Sequence, residues 1–312
     1  MLTPRCLVVG EALVDVVDGL PHAGGSPMNM AVGLARLGLD TRLLTRIGDD
    51  EFGRMLEDHL VREGVALTAA SLRVGGRTSR ATAVIGDDGA AVYDFDIEWT
   101  LSESDAIAEA AEADLIHVGS IGAALEPGAG AVQAMLATVP SGTLRTYDPN
   151  IRPALLGPRA DAAVRVEAIM AASHVVKLSD EDADWLYPGR SVEDVLAHVL
   201  ALGARMAVVT RGGAGCVTAI AGAGEPVARG ASPVTVVDTI GAGDAFMSGL
   251  VYGIVSGGLV AALTADVFAP DADVLRALER AADTALASAA VAVSRTGAAP
   301  PHLHELEQSS VL

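Results

Sequence analysis

Short apolar runs alternate along the chain with longer stretches whose apolar residues recur every three or four positions. CLVVG (6–10), TRLLTRIG (41–48), DLIHVGS (114–120), TLRTYDPN (143–150), HVVKLS (174–179) and MAVVTRGG (206–213) have the length and composition of buried strands. Between them, MNMAVGLARLG, EFGRMLEDHLVREG, AGAVQAMLATV, ADAAVRVEAIMAAS and SVEDVLAHVLALG carry amphipathic helical spacing. Strands alternating with helices predict an α/β fold in which crossover helices join parallel strands. A further β-branched run, SPVTVV (232–237), predicts a strand before the helical stretch AFMSGLVYGIV.

Residues 76–99 break the pattern. They predict two strands joined by a turn at Asp87, Asp88 and Gly89. Tyr93, Phe95, Ile97 and Trp99 alternate with Asp94, Asp96 and Glu98, which sets an aromatic face against an acidic one. A lone hairpin is marginal in water, so these strands need a partner, and LVDVVDG (13–19) is the one expected. The expectation is a small β-lid from about 13–22 and 76–100 inserted in a single α/β domain spanning 1–312. The alternative is an edge hairpin whose apolar face enters a core or a dimer interface. Residues 300–312 read as a C-terminal tail.

Composition narrows the function. The net charge of −19 repels nucleic acid and anionic membranes, so neither is expected as a partner. The apolar stretch at 250–263 is too short to span a bilayer. The N-terminus reads as a first strand rather than a signal peptide, and Cys6 and Cys216 read as buried thiols of a reducing compartment. Together these predict a cytoplasmic protein. Lys177 is the only lysine, and no glycine-rich loop precedes it, which excludes a Walker-type phosphate loop; no G-x-G-x-x-G is present either. The seven histidines lack metal-ligand spacing.

DTIGAGDAFMSGL (238–250) does suit a phosphate. Gly241, Ala242 and Gly243 fall at a helix entrance, where unpaired N–H groups and the helix dipole favour an anion. Asp244 then sits in the first turn. A carboxylate there would repel a resting phosphate, but it suits a base that takes a proton from an attacking hydroxyl. A helix start with an Asp cap and glycines for a tight turn is the alternative.

DTIGAGDAF resembles the C-terminal signature of the ribokinase-like (PfkB) carbohydrate kinases, and GGSPMNMAVGLARLG (24–38) resembles their N-terminal signature, in the family's order and spacing. The resemblance covers nearly the whole chain. It implies a three-layer α/β/α core with an inserted β-lid, and transfer of the ATP γ-phosphoryl to a sugar hydroxyl with Mg2+ and, in many members, K+. By position it implies Asp244 as base and the N–H groups of Gly241, Ala242 and Gly243 as anion hole. It implies Asp15, Gly24, Gly25 and Asn29 at the sugar, although Asn29 also suits a cap for a helix over 30–37. KLSDEDADWL (177–186) matches the family's N-x-x-E element with Ser179 and Asp182 in place of Asn and Glu; Asp182, one methylene short, is expected to meet Mg2+ through water. Thr210, Gly212, Gly215 and Thr239 match nucleotide positions. Asp238 and the carbonyls near Ile240, Arg295 and Gly297 match the monovalent-cation loop. DPNIRP (148–153) makes Arg152 a substrate candidate.

The motifs GEALVD, YDFDIEW and DPNIRP together look most like fructokinase-type members, with 2-keto-3-deoxygluconate kinase, ribokinase and nucleoside kinase as alternatives. A homodimer joined through the lid is expected. A non-catalytic sugar- or nucleotide-binding regulator is the rival from another class, and the retained Asp244 beside its glycines argues against it.

Overall fold

A computed structural model describes residues 4–73, 75–85 and 91–308. All six predicted runs hold a strand. One sheet runs in the order Val227–Arg229, Cys216–Ile220, Met206–Thr210, Val175–Ser179, Leu144–Asp148, Leu115–Gly119, Arg5–Val9, Asp40–Leu44, Ala66–Leu67. Neighbours are parallel except at the first edge, where Cys216–Ile220 runs antiparallel to both of its partners.

Alternation along each strand serves two cores. Leu7, Val9, Ile116 and Val118 pack under the helices Glu103–Ala110, Gly128–Thr138, Arg159–Ala171 and Val192–Leu202. Cys6, Val8, Leu115 and Val175 pack on the opposite face under Ser26–Arg36, Ala242–Ser256 and Ala272–Val293. Two-sided burial explains why these strands read as unbroken apolar runs. The fold is therefore the expected α/β/α layering. The helices Ala242–Ser256 and Ala272–Val293 approach closely because Gly253 has no side chain; a Cβ there would lie 2.8 Å from Ala281 Cα.

A separate four-stranded sheet has the order Leu20–Gly24, Leu13–Val17, Arg80–Ile85, Ala91–Asp96. The 13–19 segment does pair with the hairpin, Asp15 lying opposite Ala81 in a parallel register. The turn at Asp87–Gly89 and the side chain of Tyr93 lie outside the described residues.

Three expectations need correction. The second hairpin strand ends at Asp96, so Trp99 does not continue an aromatic face; it is buried in the α/β core. Residues 232–237 form no strand. The chain has left the sheet edge by Gly230, and the segment is pinned instead by Val237 N–H to Val293 O at 2.8 Å. The C-terminal segment is not a loose tail. Leu303–Gln308 is helical, Leu306 is buried against Leu37 and Ala287, and Arg36 donates to Pro300 O at 2.8 Å.

Candidate active site

The C-terminal ends of the parallel strands face the N-termini of Ser26–Arg36 and Ala242–Ser256 across a cleft of about 2040 Å3. In open α/β sheets this is where ligands bind. Every site residue read from the sequence lines this cleft except Arg295.

Asp244 stands in the first turn of its helix, half-buried. The Ser26 hydroxyl donates to Asp244 Oδ1 at 2.6 Å, and Asn29 Nδ2 donates to Oδ2 at 2.8 Å. Both donors belong to one helix, Ser26–Arg36, which begins four residues earlier than the cap reading of Asn29 allows. Asn29 therefore sits inside the first turn, three residues after Ser26 and on the same face. Sequence reasoning missed Ser26, although this i,i+3 spacing was a signal for it. Gly25 caps the helix at φ 107°, and a Cβ there would lie 2.7 Å from Glu11 O.

Gly241 adopts a left-handed conformation at φ 72° and turns the chain into the helix. The expected anion hole is narrower than the motif suggests. Ala242 N–H donates to Thr239 O at 3.2 Å, closing the turn, while the N–H groups of Gly241 and Gly243 have no acceptor among the described residues.

The end of the cleft at Asp15 is acidic and tightly built. Asp15 lies so near Gly24 that a Cβ there would sit 2.0 Å from its Oδ2. Burial raises the Asp15 carboxyl above its usual range, and the charges of His22 and Arg152 partly offset the effect. Glu11, not anticipated from the sequence, is fully buried and pushed up to about 7 by that burial; its Oε2 accepts Gly122 N–H at 2.9 Å. Arg152 is exposed to the cleft, and its charge acts on both acids.

At the nucleotide end Ser179 and Asp182 form a capping box: Ser179 Oγ accepts Asp182 N–H at 3.0 Å and Asp182 Oδ2 accepts Ser179 N–H at 2.9 Å. Asp182 Oδ1 accepts Ile151 N–H at 2.7 Å, so the carboxylate ties the Arg152 loop to this helix. Thr210 Oγ1 donates to Leu178 O at 3.4 Å. Gly215 needs its missing side chain, since a Cβ would lie 1.9 Å from Arg229 O. Val234, Val236 and Ile240, exposed apolar residues, line this part of the cleft. Asp238 accepts Ile240 N–H at 3.0 Å and Gly297 N–H at 2.8 Å, and these bonds hold its carboxyl below the ordinary range.

The third missed group is Lys177, whose buried ammonium donates to Asp148 Oδ2 at 2.9 Å. No glycine-rich loop precedes it, because Gly243, the glycine its ammonium faces, follows it in the chain. Among the described residues no cluster of three or more His, Cys, Asp or Glu could cage a metal ion. Asp182, whose two carboxylate oxygens already accept backbone N–H groups, would fit an ion such as Mg2+ that keeps its waters and uses only one or two carboxylates.

A carboxylate at a glycine-lined helix entrance, between an acidic end and an end with exposed apolar residues, fits a small-molecule site on an α/β/α scaffold. The pfkB family carbohydrate kinase model matches residues 7–305. Over 277 residues the chain is 32% identical to a fructokinase of Klebsiella pneumoniae, covering 85% of this chain and 88% of that protein. It is 33% identical over 273 residues to a fructokinase of Escherichia coli, covering 83% and 87%. A double mutant of the Vibrio cholerae O395 fructokinase, solved with fructose, ADP and potassium, superposes with a TM-score of 0.76 at 26% identity, covering 97% of this chain and 95% of that one. The chain belongs to the pfkB family of carbohydrate kinases and is an ATP-dependent sugar kinase.

Proposed function

We propose that the chain phosphorylates fructose at the expense of ATP. The observation that carries this reading is the Asp244 carboxylate, fixed by Ser26 and Asn29 beside the unpaired N–H groups of Gly241 and Gly243. Asp244 takes the proton of the attacking sugar hydroxyl as the new oxygen–phosphorus bond forms and the bond to the ADP oxygen breaks. Charge gathers on the transferred phosphoryl, where the helix-entrance N–H groups and dipole stabilise it. Asp15, Gly24, Gly25, Asn29 and Arg152 hold the sugar. Thr210, Gly212, Gly215, Thr239 and the Ser179 turn hold the nucleotide. Mg2+, when bound, would draw charge from the phosphates, and Asp182, whose two carboxylate oxygens already accept backbone N–H groups, would hold it through its waters. Asp238 and the Ile240 and Gly297 backbone shape a loop for K+.

Arg152 bears on the choice of sugar. Its charge acts on Asp15 and Glu11 at the same end of the cleft, so a sugar acid would meet acids there as well as the cation. A neutral ketose fits this balance better than 2-keto-3-deoxygluconate, the second reading. The small sheet exposes Val17 and Leu20 as a face for a homodimer, and the buried thiols suit a cytoplasmic setting. The test is ADP release with MgATP across fructose, 2-keto-3-deoxygluconate, ribose, tagatose and adenosine. Fructose is expected to give a kcat/KM at least tenfold above the others. A sugar acid ahead of fructose would overturn the substrate assignment.

A further inference from the structure

Lys177 has the least ordinary placement of any charge in the cleft. It is the only lysine of a chain with net charge −19, yet its ammonium is buried. Removing an ammonium from water is costly unless it is fully partnered. Its only hydrogen-bond partner among the described residues is Asp148 Oδ2, while Asp148 Oδ1 is buried without any partner. Burial pulls the lysine down, but the charges of Asp148, Asp182 and Asp244 outweigh it, so the group stays cationic.

Its open side is informative. A Cβ placed on Gly243 would lie 3.1 Å from Lys177 Nζ, so the ammonium faces the first turn of Ala242–Ser256. A cation set against the positive end of a helix is repelled until an anion enters between them. Asp148 apart, the strand positions beneath it supply none among the described residues. His117, on the same face of the sheet, bonds Thr146 Oγ1 through Nδ1 at 3.0 Å, and burial together with Lys177 drives it down to about 3, so it is neutral.

We propose that Lys177 is a catalytic residue, its ammonium and the N–H groups of Gly241 and Gly243 gripping the transferring phosphoryl from two sides. Asp148 is a positioning residue that aims it. This rests on the kinase reading and is independent of which sugar is used.

The single lysine makes a direct test available. Protein grown with 15N-lysine carries one side-chain Nζ signal, and the wild-type chain is titrated with MgADP, aluminium fluoride and fructose, or with the sugar preferred in the ADP-release panel. The signal is expected to shift with the complete phosphoryl mimic and to stay in place with sugar alone. In parallel, Lys177→Met is compared with wild type by calorimetry: binding of the aluminium fluoride complex should weaken about 100-fold while MgADP and sugar each bind within threefold. Lys177→Met combined with Asp148→Asn removes the stranded acid and serves if the single variant does not fold. A lysine signal unmoved by the mimic, or a folded Lys177 variant that binds it as wild type does, overturns the proposal. A wild type that turns over a different sugar corrects only the substrate.

Discussion

Replacing Gly241 with alanine introduces two faults at the turn that aims the anion hole. The residue sits at φ 72°, where an L-residue costs about 1–2 kcal/mol. The added Cβ would lie 2.7 Å from Ala298 Cβ and 2.9 Å from Ala298 Cα. Carbon atoms in ordinary contact stand about 3.5–4.0 Å apart, so the turn or the 297–298 loop must retreat by roughly 1 Å. Such a shift swings the Gly241 N–H away from the phosphoryl, and a misplacement of about 1 Å, or loss of one such donor, reduces turnover on the order of 100-fold. The assay is steady-state ADP release with fructose and MgATP, alongside fructose binding and thermal unfolding. The expected result is kcat lowered about 100-fold with fructose affinity within threefold, and stability reduced by about 1–3 kcal/mol. Gly142→Ala, where a Cβ meets nothing within 4 Å, serves as the control. A folded Gly241→Ala enzyme within twofold of wild-type kcat would refute the reasoning.

Two further outcomes follow from neighbouring groups. Ser26→Ala removes the hydroxyl that donates to Asp244 Oδ1 at 2.6 Å; a bond to a charged group contributes about 1.5–3 kcal/mol, so kcat should fall roughly tenfold or more while sugar affinity holds. Glu11, raised from 4.5 to about 7, binds its proton more tightly folded than unfolded, so its contribution to stability is full below 4.5 and is lost as pH rises through 7. Denaturant titrations should therefore show Glu11→Gln gaining on wild type by about 3 kcal/mol between pH 4.5 and 7.5, and a difference that does not vary with pH would remove the buried acid from the account.

Much of this was legible in the sequence, for physical reasons that differ by element. Two-sided burial leaves strands such as Leu115–Gly119 a single polar side chain, His117, so their apolar runs announce a parallel sheet. Gly241 and Asp244 were legible as one cleft-lining helix entrance because bare backbone and an acid fall together in one short stretch. Residues 232–237 misled because β-branching describes a side chain's fit to a sheet, not whether an edge is there to receive it. Trp99 misled because alternation cannot report where a strand stops. Lys177 and Asp148 were hidden for another reason: Lys177 meets Asp148 and Gly243 only after strands and helix from distant parts of the chain assemble. Asn29 was legible as a polar group of the site, but its bond to Asp244 spans 215 positions and has no local signature.

The central claim is that Asp244 performs the proton transfer at a phosphoryl site, and the direct measurement is Asp244→Asn assayed for fructose binding and ADP release together. Fructose affinity should stay within about threefold, while kcat falls by about 100- to 10,000-fold. Undiminished turnover in the folded variant would contradict the account.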